Sequence, residues 1–302
     1  MPFVKMHGLG NDFVMLRADA LPPQTDLATL AQTLCDRHFG IGADGLIIAG
    51  PPSDAARADA RFTYYNGDGS RAEMCGNGIR CFARFVRAQG LVSSDIMRVE
   101  TDAGVLTPQL NADGSVTVDM GAPRLRAQDI PFAGEHQAPD APVRNYPLSA
   151  LGRSFGVSLV SMGNPHCVIL QDSLSSPLDP AVFGPAIETH PGFPHKTNVE
   201  FVDILDRQTV RAIVWERGCG FTLACGTGAC AIAVVCALED RTDAETTVLL
   251  PGGALRIQWD KTDPASRVLM TGPAETTFEG SIDWPLRVAS PERTSTPGVM
   301  AS

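Results

Sequence analysis

AEMCGNGIRC, residues 72–81, places a thiol directly before Gly-Asn-Gly, and the run then turns into a helical pattern. ACGTGAC, residues 224–230, does the same 150 residues later. Superposing the two cysteines superposes their surroundings. In NGDGSRAEMCGNG (66–78) and ERGCGFTLACGTG (216–228), Asn66 and Glu216 each precede the cysteine by nine residues. Tyr65 falls on Trp215, Gly76 on Gly226 and Gly78 on Gly228. Farther upstream, GNDFV (10–14) resembles GNPHCV (163–168), each lying a little over sixty residues before its cysteine. An internal duplication accounts for this order. Two such units meeting at a cleft bring two equivalent loops face to face, each with one cysteine at the start of a helix.

The periodicities around these loops support that arrangement. Alternating apolar runs predict strands at FVKM, DFVML, GLIIAG, RFTYY, MRVET, GVLTPQL and SVTVDM in the first half. GVSLVSM, CVIL, NVEFVDIL, TVRAIVW, TTVLL, ALRIQW and RVLM follow in the second. Asp26 is placed to cap a helix over LATLAQTLCDRH. Ile79, Phe82, Ala83 and Val86 form one stripe of a helix from about Gly78 to Gln89, with Arg80, Arg84 and Arg87 on another face. The segment Gly228 to Glu239 is apolar all round, which at this length predicts a buried helix. The Pro-rich stretch from Ala122 to Gly152 marks a domain boundary near residue 122, and residues 287–302 read as a disordered tail.

Composition narrows the partners. A chain of 302 residues has room for two ordinary domains, and 44% hydrophobic with 19% charged residues is the make-up of a soluble globular protein. A net charge of -10 argues against nucleic-acid or anionic-membrane partners, which require clustered Lys and Arg, and favours a small molecule. The N-terminal MPFVKMHGLGNDF carries charge and glycine where a secretion signal needs an apolar core, so a cytoplasmic location is expected. The eight cysteines include no CxxC pair, so free thiols are expected and zinc-site spacing is absent. GLGNDF lacks the third glycine of a dinucleotide loop.

The paired loops suit one kind of chemistry. A helix N-terminus lowers a thiol from its reference pKa of about 8.5, by about one unit for a dipole contribution of roughly 0.3 to 2 kcal/mol. That predicts cysteines tuned toward neutrality, where acid-base catalysis is most effective. Free N–H groups of Gly-X-Gly can grip a carboxylate and stabilise charge that develops on it. Without a ring cofactor, removing an amino acid's α-proton needs a base on one face and an acid on the other. One thiolate takes the proton, the opposite thiol returns one, and the stereocentre inverts.

KMHGLGNDFV, NGDGSRAEMCGNGIRCFARFV, SMGNPHCV, TNVEFV and WERGCGFTLACGTGAC together resemble the diaminopimelate epimerase family over nearly all of residues 1–280. The resemblance implies a cofactor-independent isomerase that interconverts LL- and meso-2,6-diaminopimelate for lysine and peptidoglycan synthesis. It implies Cys75 and Cys225 as catalytic bases, with Gly76, Asn77, Gly226 and Thr227 supplying amides to the reacting carboxylate. Asn11, Asn66, Asn164, Asn198, Glu216 and Arg217 match positions that recognise the rest of the substrate, and His166 and Glu216 match residues that tune the thiols. Gly45 is a further substrate-site candidate, standing where some members carry glutamine; Phe221 stands where some carry glutamate.

The implied fold is α+β: two pseudo-symmetric domains, each a mostly antiparallel sheet curled around a central helix, with the site in the cleft between them. The expected domains are 1–122 with about 268–282, and 123–267. A homodimer is implied, although Leu269 replaces a tyrosine of the dimer contact in some members. Alternatives are a proline-racemase-like or phenazine-type isomerase, or a non-enzymatic thiol-pair protein that binds a ligand or senses redox state.

Overall fold

Alternating apolar residues fold here into two sheets that repeat one another. The computed structural model of the chain describes residues 1–134, 138–171, 179–263 and 265–284. Its first strands are β1 (Pro2–Gly8), β2 (Asn11–Arg17), β3 (Gly45–Gly50), β4 (Ala60–Asn66), β5 (Arg71–Ala72), β6 (Val99–Thr101), β7 (Gly104–Leu106), β8 (Gln109–Leu110) and β9 (Val116–Asp119). They are followed by β10 (Tyr146–Ala150), β11 (Arg153–Ser161), β12 (Pro165–Gln171), β13 (Asn198–Ile204), β14 (Thr209–Glu216) and β15 (Gly220–Phe221). The last are β16 (Glu245–Leu250), β17 (Gly253–Gln258), β18 (Leu269–Gly272) and β19 (Glu275–Ser281). Among the described residues four α-helices accompany them: α1 (Leu27–Cys35), α2 (Gly76–Ala88), α3 (Pro180–Glu188) and α4 (Gly226–Leu238).

The first sheet runs β19-β1-β2-β3-β4-β6-β7, with β5 beside β4; the second runs β10-β11-β12-β13-β14-β16-β17-β18-β9-β8, with β15 beside β14. The first seven strands of the second path reproduce the first. β2/β3 and β12/β13 are parallel, and β3/β4 and β13/β14 antiparallel. β4/β6 and β14/β16 are again parallel, and β6/β7 and β16/β17 antiparallel. In each repeat a short hairpin strand, β5 or β15, precedes the cysteine and its helix. One edge strand of the first sheet is the late β19, which pairs antiparallel with β1, Val4 facing Glu279. β8 and β9 pack on α2 but join the second sheet through β18, so the two sheets are knitted together there.

Both helices that follow the cysteines are buried. α2 packs against β1, β2, β3 and β4, and α4 against β11, β12, β13, β16 and β17. Ile79, Phe82, Ala83 and Val86 are fully buried as the stripe predicts, and α4 is buried on every side, matching its uniform apolarity. The two helices share one continuous core.

The departures from expectation have local causes. α3 is absent from the helices expected above; Pro180 occupies its first turn, where it has no helical N–H to lose, and Pro185 lies inside it. Gly184 lets the Trp215 ring lie against the helix; an added Cβ would stand 2.6 Å from that ring. β10 lies inside the Pro-rich stretch, and GVLTPQL splits into β7 and β8 around Pro108. α1 stops at Cys35 rather than His38, because the Asp36 carboxylate takes the N–H groups of His38 and Phe39. Residues 287–302 lie outside the described residues.

All eight cysteines are free thiols. Burial pushes Cys35, Cys81, Cys230 and Cys236 up from an ordinary value of 9.0 to about 12. A folded-state pKa above the unfolded one gives stability that is whole below the unfolded value and lost as pH rises through the folded one. The Tm is therefore expected to fall progressively as pH rises from about 9 toward 12, measured by calorimetry under reductant. A Tm independent of pH across that window would contradict the buried placement of these thiols.

Candidate active site

Cys75 is the N-cap of α2 and Cys225 the N-cap of α4. Each sulfur takes the position that a serine or aspartate oxygen often holds, accepting the third N–H of its helix: Gly78 N at 3.4 Å from Cys75 Sγ, Gly228 N at 3.4 Å from Cys225 Sγ. The two helix starts lie side by side, close enough that a Cβ added to Gly226 would stand 3.7 Å from Gly76 Cα. Met270 lines the approach from both sides, its Sδ 3.2 Å from where a Gly226 Cβ would stand, and Met120 packs beside Gly76. Gly10 is needed nearby for two reasons. Its φ of +86° is left-handed, and a Cβ there would lie 2.6 Å from Leu223 Cδ1 of the other repeat.

The asparagines build the first half of the site. Asn77 is buried, and its amide donates to Asn11 Oδ1 at 3.1 Å and to the Ala224 carbonyl at 3.0 Å, linking the repeats. Asn11 Oδ1 also lies 3.7 Å from Cys75 Sγ, and Asn11 Nδ2 donates to Asp44 at 2.7 Å. Asp44 is held by Arg37 at 2.7 Å, which also grips Asp12 at 2.9 Å, while Lys5 pairs with Asp12 at 2.7 Å. Burial alone would raise Asp12, but Arg37 and Lys5 prevail and bring it down to about 2. Asn66 opens the turn ahead of Cys75, its amide donating to Ser70 Oγ at 2.9 Å.

The second half centres on His166. Its Nε2 lies 3.0 Å from Asn164 Oδ1 and its Nδ1 2.6 Å from Glu200 Oε1, with both His166 and Glu200 completely buried. Asn164 Nδ2 donates to Thr227 Oγ1 at 3.3 Å, and Thr227 Oγ1 lies 3.6 Å from Cys225 Sγ. Asn198 is satisfied within the fold, donating to Pro165 O at 2.9 Å and accepting from Arg217 N at 2.9 Å. The exposed Arg217 side chain reaches the His195 carbonyl at 3.2 Å. Glu216 accepts from Thr222 Oγ1 at 2.5 Å, and its charge acts on both Cys75 and Cys225.

Two expectations are corrected by the geometry. The thiols are raised, not lowered. Burial is the largest cause at both sites, and Glu216 adds to it; the Gly78 and Asn77 amides offset part of the rise at Cys75, while Thr227 and Gly228 do so at Cys225, which Glu200 raises further. Desolvation penalises the charged thiolate more than the helix-start amides favour it. Arg80, expected on another face of α2 than the apolar stripe, is as fully buried as the stripe itself. Gly45 pairs in register with Asn66, but it is buried and a Cβ there would meet the Tyr64 ring at 2.4 Å. Phe221 is half exposed, its ring edge-on to Trp215 at 5.1 Å between centroids.

Among the described residues no group of three or more His, Cys, Asp and Glu side chains is placed to hold a metal ion. No described helix is long and apolar enough to cross a membrane. The sequence profile described as Diaminopimelate epimerase matches residues 3–126 and 158–277. The chain belongs to the diaminopimelate epimerase family. The diaminopimelate epimerase of Moorella thermoacetica is 49% identical over 291 residues, covering 95% of this chain and 100% of that protein. Diaminopimelate epimerase 1 of a Nostoc species is 48% identical over 285 residues, covering 93% and 99%. Among solved structures, a phenazine biosynthesis protein of Bacillus anthracis superposes with a TM-score of 0.66 at 17% identity, covering 93% of this chain and 98% of that one. A probable proline racemase of Agrobacterium radiobacter gives 0.63 at 15%, covering 94% and 93%. These likenesses are of fold, and they place the diaminopimelate epimerase architecture in the same class as those two proteins.

Three residues of this family member were missed in the sequence. Glu200 stands in NVEFV, and a lone acid inside a buried strand calls for a partner; β12 and β13 run parallel with Val168 opposite Glu200, which puts His166 one diagonal away. Asp44, just before β3, and Arg80 carry no such local sign.

Proposed function

We propose that this chain interconverts LL- and meso-2,6-diaminopimelate, moving the α-proton between Cys75 and Cys225 on opposite faces of the substrate. The observation that carries this reading is the pair of thiol-capped helix starts, one from each repeat, lying so close that a Cβ added to Gly226 would stand 3.7 Å from Gly76 Cα. The amides of Gly76, Asn77, Gly226 and Thr227 hold the reacting carboxylate and stabilise the charge that gathers on it as the proton leaves. Asn11, Asn66, Asn164, Asn198, Glu216 and Arg217 recognise the remaining amines and carboxylate, a ligand set that needs donors, acceptors and a guanidinium fork together. Glu216 and His166 tune the thiols. The steps balance as a proton lost to one thiolate and a proton gained from the opposite thiol, after which the two sulfurs have exchanged roles.

The same reading divides the chain into a unit of residues 1–122 with about 268–282 and a unit of 123–267, each wrapped on its own helix. It places the enzyme in the cytoplasm, as a homodimer, in supply of lysine and peptidoglycan precursors. The test is conversion of LL-diaminopimelate by the purified, reduced protein, followed by chromatographic separation of the stereoisomers. The expected result is an equilibrium mixture of LL and meso forms from either starting isomer. Unchanged LL substrate after prolonged incubation would contradict the reading.

A further inference from the structure

Arg80, the fifth residue of α2, is 0% exposed. Its hydrogen bonds among the described residues all go to neutral acceptors: Gly76 O at 3.1 Å, Asn77 Oδ1 at 2.9 Å and Pro273 O at 3.1 Å, with Met270 Sδ at 3.8 Å. A buried cation without a carboxylate is costly, and surface arginines of this chain show the usual alternative of pairing with an acid. The slot for it is built into the fold. A Cβ added to Gly8 would stand 3.0 Å from Nη2, and one added to Gly272 3.3 Å from Nε, so β1 and β18 admit the guanidinium where both lack a side chain.

The ionisable groups that act on this cation are the thiols of Cys81, Cys75 and Cys230. Cys81 and Cys230 point into apolar core and are pushed up to about 12, so neither is ionised near neutrality. Cys75 is the remaining partner. The charged and titratable groups around Cys75 are Arg80 and Cys81 from α2, Glu216 at the end of β14, Tyr64 on β4 and, behind Asn11, Asp44. Around Cys225 the strongest electrostatic neighbours are the two carboxylates Glu216 and Glu200. The two halves therefore differ in balance: Cys75 faces one carboxylate, Glu216, offset in part by the Arg80 cation, whereas Cys225 faces two carboxylates and no cation of that kind.

Arg80 also fixes geometry. By donating to Asn77 Oδ1 it forces the Asn77 amide nitrogen toward Asn11 Oδ1 and Ala224 O, the link between the repeats. Its bonds to Gly76 O and Pro273 O tie the start of α2 to the chain between β18 and β19.

We infer that Arg80 is a positioning residue that selects Cys75 as the resting base: its guanidinium is the fixed countercharge of a Cys75 thiolate and sets the Gly76 and Asn77 groups of the carboxylate cradle. Cys225 is then the resting acid, and the proton that leaves Cys75 before substrate binds goes to solvent. The inference rests on the two-thiol reading above.

The test combines iodoacetamide labelling across pH, resolved by peptide mass spectrometry, with the pH profile of epimerisation, for the parent enzyme, Arg80→Gln and Arg80→Lys. In the parent, Cys75 is expected to titrate at lower pH than Cys225. In Arg80→Gln the Cys75 midpoint is expected to rise by about one pH unit, with kcat near neutrality down about tenfold and the Cys225 midpoint unmoved. Arg80→Lys should restore the Cys75 midpoint but not kcat, because one ammonium cannot reach Gly76, Asn77 and Pro273 together. A parent in which Cys225 titrates first, or an Arg80→Gln enzyme with the parent's midpoint and profile, would overturn the inference. Should Arg80→Gln not fold, the parent's titration order and Arg80→Lys decide it. A parent that never exchanges the substrate α-proton would refute the two-thiol reading itself; exchange with unaltered Arg80-variant profiles refutes only the role of Arg80.

Discussion

Replacing Cys75 or Cys225 with alanine is expected to lower kcat for epimerisation by about 10²- to 10⁴-fold while KM changes little, because each thiol acts on the proton in flight rather than on substrate binding. The amides that hold the carboxylate belong to the backbone of Gly76, Gly226 and their neighbours, and they remain in either variant. Each variant should keep one half of the chemistry. With a single sulfur left on one face, the α-proton of one diastereomer can still be taken and returned to the same face, giving exchange without inversion. The double variant should then be only slightly worse than the worse single one, since residues that act as a unit are strongly non-additive. Steady-state kinetics with both isomers checks this. Cys219, the exposed thiol, serves as the control, and Cys219→Ser should leave kcat unchanged.

The second large effect concerns pH. Burial raises both active thiols, and Glu216 raises both again, so near neutrality only a minority of the enzyme is in the working form, its charge on Cys75. The working form needs one thiolate and one thiol. A raised pKa favours the protonated thiol, so below it the working fraction increases tenfold with each pH unit. A rise in kcat/KM of roughly a hundredfold between about pH 6 and 8 is expected. At higher pH the second ionisation removes the acid and the rate falls, so both limbs belong to the coupled pair. A rate independent of pH over the same interval would show that the thiols are ionised at rest, contrary to their burial.

Much of this was readable along the chain because it is local. Apolar runs announced most strands, since Leu46, Ile47 and Ile48 or Val199, Phe201 and Val202 are buried without a break or nearly so. The cysteine-glycine junctions announced the helix starts, because an N-cap and its next three residues are neighbours in sequence. The duplication was visible for the same reason, two local patterns recurring in one order. What stayed hidden depends on residues far apart. Arg80, Arg84 and Arg87 are indistinguishable by periodicity. Pro273 and Ala274 cover the first two, Arg84 donating to Ala274 O at 2.6 Å, while Arg87 pairs with the exposed Asp95. The pairing of His166 with Glu200 follows from the parallel register of β12 and β13, which no local pattern states. The thiols move up rather than down because desolvation outweighs the helix-start amides, a balance set by what packs around the cysteines and not by the local Cys-Gly pattern.

The most direct measurement is of where solvent deuterium first appears. The reduced enzyme is incubated with LL-diaminopimelate in deuterated water, and both isomers are recovered early in the reaction and examined by NMR and mass spectrometry. With Cys75 and Cys225 as separate acid and base, the first meso product should carry one deuterium at the inverted carbon while the remaining LL substrate carries none. Deuterium appearing in recovered LL substrate as fast as in product, or product forming with its original hydrogen retained, would show a single base serving both faces and would contradict the paired-thiol mechanism.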